Sequence, residues 1–391
     1  MTSYRDGIRL AVAGAAAAAA IYFPQPLAAR IQTSFDMSAF WGAMPMTVAF
    51  IVLTSGPVLF SRLITVQRAM RIVLITELAL AALFAAQAFA SAPVPYFVLR
   101  LLQSLLLPLL IPAIITGSSN IHNSDNRARD LALYTAGTIV GGVIGRLAAL
   151  GSVMLDHWQL GSLAITAMLL VSAALLRNPP ELAGQRRAQD SRPGALPPAD
   201  TKRSWRTQVT LSYVGLALAF SVLTVVLTCL PFEVGYQHGG ALILAVVYGG
   251  YAVGIATSLG APAIIRGARG LPNATLAAAV LFVIGLLGII QGSLVALVAG
   301  VVVLCGGMVF QQATQIVLLN EYFARSQSGT VSALFVAAVF AGGTLGSSAM
   351  VSLYEWLGWG AVMGVCVVFA VIAGCCVYAA ARRQAQDART A

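Results

Sequence analysis

Two arginines, Arg100 and Arg146, stand inside otherwise apolar runs of the stretch 96–158. An arginine in hydrocarbon costs ~2.5–3.5 kcal/mol on insertion scales, so such a residue faces a bundle interior or a watery cavity where it finds a partner. A fixed charge at Arg100 could bias a neighbouring carboxylate or attract an anion, the reading favoured for an ionisable group inside a span; the alternative is a tie between helices through backbone carbonyls. Arg146 is open between a functional charge and an anchor that snorkels to the interface. Glu77 is the only acid well inside a span of the first half. As a proton carrier it needs access from both sides; as a structural partner it needs an arginine. Glu233, beside Pro231, is either a substrate or proton group or an interfacial residue. Gln311 and Gln315 are one helical turn apart and share a face, and amides in lipid need partners, so that face points into the bundle. They fit either substrate hydrogen bonding or interhelical contact. Tyr22, Gln25 and Tyr134 are candidates to line a cavity, with packing as the alternative.

These residues sit in a chain of 391 amino acids that is 59% hydrophobic and 9% charged. Soluble domains carry roughly 25% charged residues. Apolar runs recur along the whole length, without strand alternation, so the fold class is all-α, polytopic and membrane-embedded. Twelve spans are expected, at about 8–30, 39–61, 70–90, 94–118, 131–154, 158–177, 207–232, 240–264, 272–291, 294–319, 330–353 and 357–381. The net charge is +10 and all basic residues but Lys202 are arginine. They cluster in alternate loops and in the segment 178–206, while the intervening loops hold almost none; Arg30 is the exception. The positive-inside rule then places both termini and 178–206 in the cytoplasm. Scattered over short loops, this charge does not suggest a nucleic-acid partner. The five cysteines have no metal-ligand spacing with histidine, no metal site is read, and no phosphate-binding glycine loop or nucleophile–base pair marks an enzyme.

The segment 178–206, rich in proline and charge, divides the chain into 1–177, a cytoplasmic linker, and 207–391 with a short cytoplasmic tail. The halves repeat. Shifted by 201 positions, Ala132-Leu133-Tyr134 meets Ala333-Leu334-Phe335, Gly141-Gly142 with Gly145 meets Gly342-Gly343 with Gly346, and Trp158 meets Trp359. Parallel repeats of this kind are a transporter plan, and the glycines let helices approach closely.

Six plus six spans about a cytoplasmic linker resemble the major facilitator superfamily over nearly the whole chain. The twelve-span drug:proton antiporter branch, with its sugar-efflux-permease-like members, is the most similar. Tyr22, Gln25-Pro26-Leu27 and Phe35 resemble its first span. Arg100 with Gln103 is similar to its fourth-span arginine–glutamine motif, with Ser104 in place of the usual glycine. Tyr134, Gly137, Gly141, Gly142, Gly145 and Arg146 resemble the antiporter-associated fifth span. The family's loop motif between spans two and three keeps Gly56-Pro57 and its basic residues, but Phe60 and Ser61 stand where an aspartate is usual. The resemblance implies two pseudo-symmetric six-helix bundles and alternating access. It also implies proton-coupled efflux of a small organic compound, driven by the proton gradient with no bound cofactor, and a monomer in a bacterial inner membrane. Arg100, Gln103, Glu77, Arg146 and Glu233 are the candidates for coupling. Two other readings stay open: transport of an anionic metabolite or siderophore-like chelate, and a non-transporting receptor or scaffold.

Overall fold

The computed structural model describes residues 2–60, 63–120, 124–177, 201–235, 240–257, 265, 270–325 and 330–390. Among these residues thirteen helices are α1 (Thr2–Tyr22), α2 (Ala28–Ser34), α3 (Ala39–Phe60), α4 (Val66–Gln87), α5 (Pro93–Asn120), α6 (Ser124–Met154), α7 (Gln159–Leu175), α8 (Thr201–Val234), α9 (Gly240–Gly250), α10 (Leu271–Ile290), α11 (Leu294–Arg325), α12 (Thr330–Ser347) and α13 (Ala349–Thr390). A short helical turn at 253–257 continues α9 after a bend. No strand occurs among the described residues. Most of the expected linker, 178–200, lies outside them, and 201–206 begin α8. Ser61, Arg62, His122, His238 and most of the loop 260–270 also lie outside them.

Nine stretches of the described residues are long and apolar enough to cross a membrane. One of these, Leu334–Gln386, has 53 residues. That is about 80 Å of helix, against a hydrocarbon core of about 30 Å. It is two spans, interrupted at Gly358, whose φ of 75° favours glycine. The alanine-rich α1 and the 17-residue α7, about 25 Å long, complete twelve.

The helices are inverted relative to those of a soluble protein. On α5, Leu101, Leu102 and Leu105 are exposed, while Arg100, Gln103 and Ser104 are buried. Lipid is the solvent such a face requires, and polar groups must find partners inside.

The chain forms two compact units, 1–191 with 230–249, and 192–229 with 250–391. In the first, α1 packs along α6 through small residues. A Cβ added at Gly137, Gly141 or Gly145 would overlap the carbonyl oxygens of Ala11, Ala15 and Ala19, the last at 2.6 Å. In the second unit the repeat partners behave alike: a Cβ at Gly342 or Gly346 would overlap the carbonyls of Ala217 and Ser221 on α8. The sequence repeat is thus a repeated backbone-to-backbone contact, in which small residues four apart bring two helices together. Gly56, of the motif after the second span, instead abuts the side-chain ring of Pro108 on α5.

Arg30, the basic residue out of pattern, is ion-paired with Asp156. Asp156 has a positive φ of 58°, which aspartate tolerates better than most residues. Its side chain is 83% exposed, so Asp156→Ala should change stability by less than about 1 kcal/mol. Denaturation of the purified protein checks this.

Candidate functional site

The site grows from a break in the first span. Phe23 N–H still donates to Ala19 O, at 2.9 Å. Pro24 has no N–H, so the Ala20 carbonyl loses its ladder partner. Gln25 N–H turns back to Tyr22 O at 3.1 Å, which leaves Ile21 O unclaimed as well. α1 therefore ends at Tyr22 with orphaned carbonyls at the negative end of its dipole.

Arg100 supplies the missing donors. Its Nη1 donates to Ala20 O at 3.1 Å and its Nη2 to Ile21 O at 3.1 Å. Nε donates to Pro45 O of α3 at 2.9 Å. Nη1 also reaches Gln103 Oε1 at 3.3 Å, and Gln103 Nε2 donates to Gln87 Oε1 of α4 at 2.9 Å. The guanidinium is 1% exposed, and these four bonds all end on neutral oxygens. This is the geometry of the helix tie: one planar fork joins α1, α3 and α5, and its amide neighbour extends the tie to α4.

The residues just past the break meet the second arginine. Arg146, on α6 and 2% exposed, donates from Nε to Gln25 Oε1 at 2.8 Å and from Nη1 to Gly142 O at 3.1 Å. Its guanidinium carbon lies 4.3 Å from the Tyr22 ring centroid and 5.8 Å from that of Tyr248. Both are cation–π distances. Tyr22 packs edge-on against Phe50, and the Tyr134 ring covers α1 at Gly14. Arg146 is therefore held inside the unit rather than extended toward an interface.

Glu77 lies elsewhere, between α4 and α7. Ser172 Oγ donates to its Oε1 at 2.7 Å, and its Oε2 has no hydrogen-bond partner. It is fully buried, the only buried carboxyl among the described residues, and takes no part in their two ion pairs. Glu233 is exposed near the end of α8. In the second unit, Gln315 Nε2 donates to Ser212 O of α8 at 3.2 Å, while Gln311 Nε2 and Gln315 Oε1 are buried without partners.

The structure thus unites Arg100 with Gln103, and Arg146 with Tyr22 and Gln25. Glu77 is separate, and the two glutamines belong to the other unit. Sequence reasoning missed Gln87, Ser172, Tyr248 and the carbonyls of Ala20 and Ile21. Pro24 carried the signal for the carbonyls, since a proline in a span frees the acceptor four residues earlier.

The fold and these buried polar groups define a polytopic helical membrane protein. A family model for the Major Facilitator Superfamily matches residues 10–343. The chain belongs to that superfamily. Three solved structures illustrate the shared fold. A peptide transporter, POT, in complex with sulfate has a TM-score of 0.68 at 13% identity, covering 96% of this chain and 95% of its own. The xylose transporter XylE from E. coli, partially occluded and inward open, has a TM-score of 0.71 at 14% identity, covering 95% and 96%. The nucleoside transporter NupG has a TM-score of 0.70 at 14% identity, covering 97% and 100%. No curated protein sequence matches the chain significantly.

Proposed function

We propose that the chain is a secondary transporter that exports a small organic compound from the cytoplasm by alternating access, driven by proton entry. The observation that carries the coupling is Glu77. A carboxyl buried among apolar helices, hydrogen-bonded by one hydroxyl and ion-paired to none of the described residues, can bind and release a proton without breaking a salt bridge to them. Arg100 is engaged by carbonyls, so its role is to hold the broken first span in shape. Arg146, Tyr22 and Gln25 are the polar surface just beyond that break.

Export rather than uptake is supported by the antiporter-like glycine pattern of α6. The solved neighbours are named for peptides, xylose and nucleosides, and a shared fold leaves the cargo open. The reading includes a monomer in a bacterial inner membrane with both termini cytoplasmic. Six spans lie on either side of the 178–206 linker, and the proton gradient replaces any cofactor.

Proteoliposomes carrying the full chain test the coupling. Accumulation should follow an imposed pH gradient in the wild type. Glu77→Gln should reduce accumulation at least tenfold while leaving exchange of solute at equal concentrations intact. Accumulation that ignores the pH gradient in the wild type, or that survives in Glu77→Gln, would remove the proton from the mechanism.

A further inference from the structure

Buried polar chemistry is divided unequally between the two units. All the buried charges among the described residues, Glu77, Arg100 and Arg146, belong to the first. The buried polar side chains described in the second are neutral hydroxyls and amides, on α8, α10, α11 and α12. Among the described residues of this unit, three side-chain amides are incompletely satisfied, Gln384 near the end of α13 and two that share one face of α11 and are complementary. Gln311 Nε2 is an unpartnered donor and Gln315 Oε1 an unpartnered acceptor, in residues 1% and 0% exposed.

An unmet buried hydrogen-bonding group costs roughly 1–3 kcal/mol, so two on one helical face call for a reason. The glutamines could bond each other across one turn. They do not, because Gln315 is anchored by its other end: Nε2 donates to Ser212 O, which directs Oε1 elsewhere. The backbone carbonyl of Gln311 accepts from Thr314 Oγ1 at 2.8 Å, a bond that leaves the Gln311 side-chain amide uninvolved. The two residues thus stand one turn apart, about 6 Å along the axis, with an unmet donor on Gln311 and an acceptor on Gln315 whose amide is held by Ser212.

We infer that Gln311 and Gln315 are the hydrogen-bonding site for an uncharged organic solute that presents an acceptor to one and a donor to the other, as hydroxyl and amide groups do. This rests on the transport reading and gives it a substrate class. A purely apolar solute would leave both groups unmet. A charged solute would find no formal counter-charge among the buried residues described in this unit. Sites built to hydrogen-bond a solute reject analogues lacking the group, because their own polar atoms then stay unpaired.

The test compares Gln311→Leu and the less bulky-branched Gln311→Met with the wild type. Melting temperatures are read with and without myo-inositol, uridine and N-acetylglucosamine as uncharged probes, benzoate as an anion and tetraphenylphosphonium as a cation. Removing an unpartnered donor from a binding site relieves strain on the fold, so both variants should melt at or above the wild-type temperature. At least one uncharged probe should raise the wild-type melting temperature by about 2 °C or more at millimolar concentration, and the variants should lose that shift. Variants that both melt well below the wild type would show an interhelical tie and overturn the assignment. Shifts from benzoate or tetraphenylphosphonium alone would overturn the substrate class and leave transport standing. Flux of the same probes into proteoliposomes separates the two readings. No binding and no movement of any probe would overturn both, whereas movement of the charged probes only would overturn this one.

Discussion

Arg100→Ala should destabilise the protein by on the order of 3 kcal/mol, because three carbonyls lose charged hydrogen bonds worth roughly 1.5–3 kcal/mol each, while the cost of burying the cation is recovered. Arg100→Lys should recover little. An ammonium is a point charge on a flexible stem and cannot hold Ala20 O, Ile21 O and Pro45 O with one planar fork. The cause can be isolated through Pro24. In a Pro24→Ala background the restored N–H can satisfy Ala20 O through the ordinary helical ladder. The penalty for Arg100→Ala should then shrink by about 1 kcal/mol or more, a coupling that independent sites do not show. Chemical denaturation of the four variants in detergent measures it. Equal penalties in both backgrounds would mean that the guanidinium does not act through the broken helix end.

Gly141→Leu should give no folded protein, and Gly141→Ala should already cost about 1–3 kcal/mol. Even a methyl group there overlaps the Ala15 carbonyl oxygen, and backbone cannot yield as a flexible side chain can. Gly342→Ala should be damaged alike through Ala217. Gly151, on the same helix as Gly141, has nothing within 4 Å of an added Cβ, so Gly151→Ala should be neutral or gain up to about 1 kcal/mol from helix propensity. Size-exclusion profiles and melting temperatures of the three alanine variants settle the order. A Gly141→Ala protein as stable as Gly151→Ala would refute the close α1–α6 contact.

Much of this architecture was legible before any coordinates, because lipid imposes a simple grammar of long apolar helices and charged loops. The spans, the superfamily and the packing role of the glycines all follow from residue type and spacing. The site was harder to read. For Arg100 residue type favours a functional charge, whereas the structure shows a tie to three carbonyls that periodicity could not reveal. The answer depends on α1 stopping at Tyr22 and on where α5 crosses it, a matter of three-dimensional distance. Arg146 is bound by Gln25, 121 residues away in sequence, and by two rings. No local pattern encodes such a meeting. Glu77 and Ser172 are separated by 95 residues and became partners only when α4 packed on α7.

The modest length of α7 has a consequence for the surrounding bilayer. Its 17 residues reach about 25 Å, short of a 30 Å hydrocarbon slab. The lipids beside it must thin, or the exposed Arg177 just past its end must reach for the headgroups, since Trp158 at the other end is buried against Phe35 and Tyr96. Each ångström of mismatch costs a fraction of a kcal/mol. Membranes of shorter acyl chains should therefore hold the protein most comfortably, and thick, sterol-like bilayers should strain it first along that one edge.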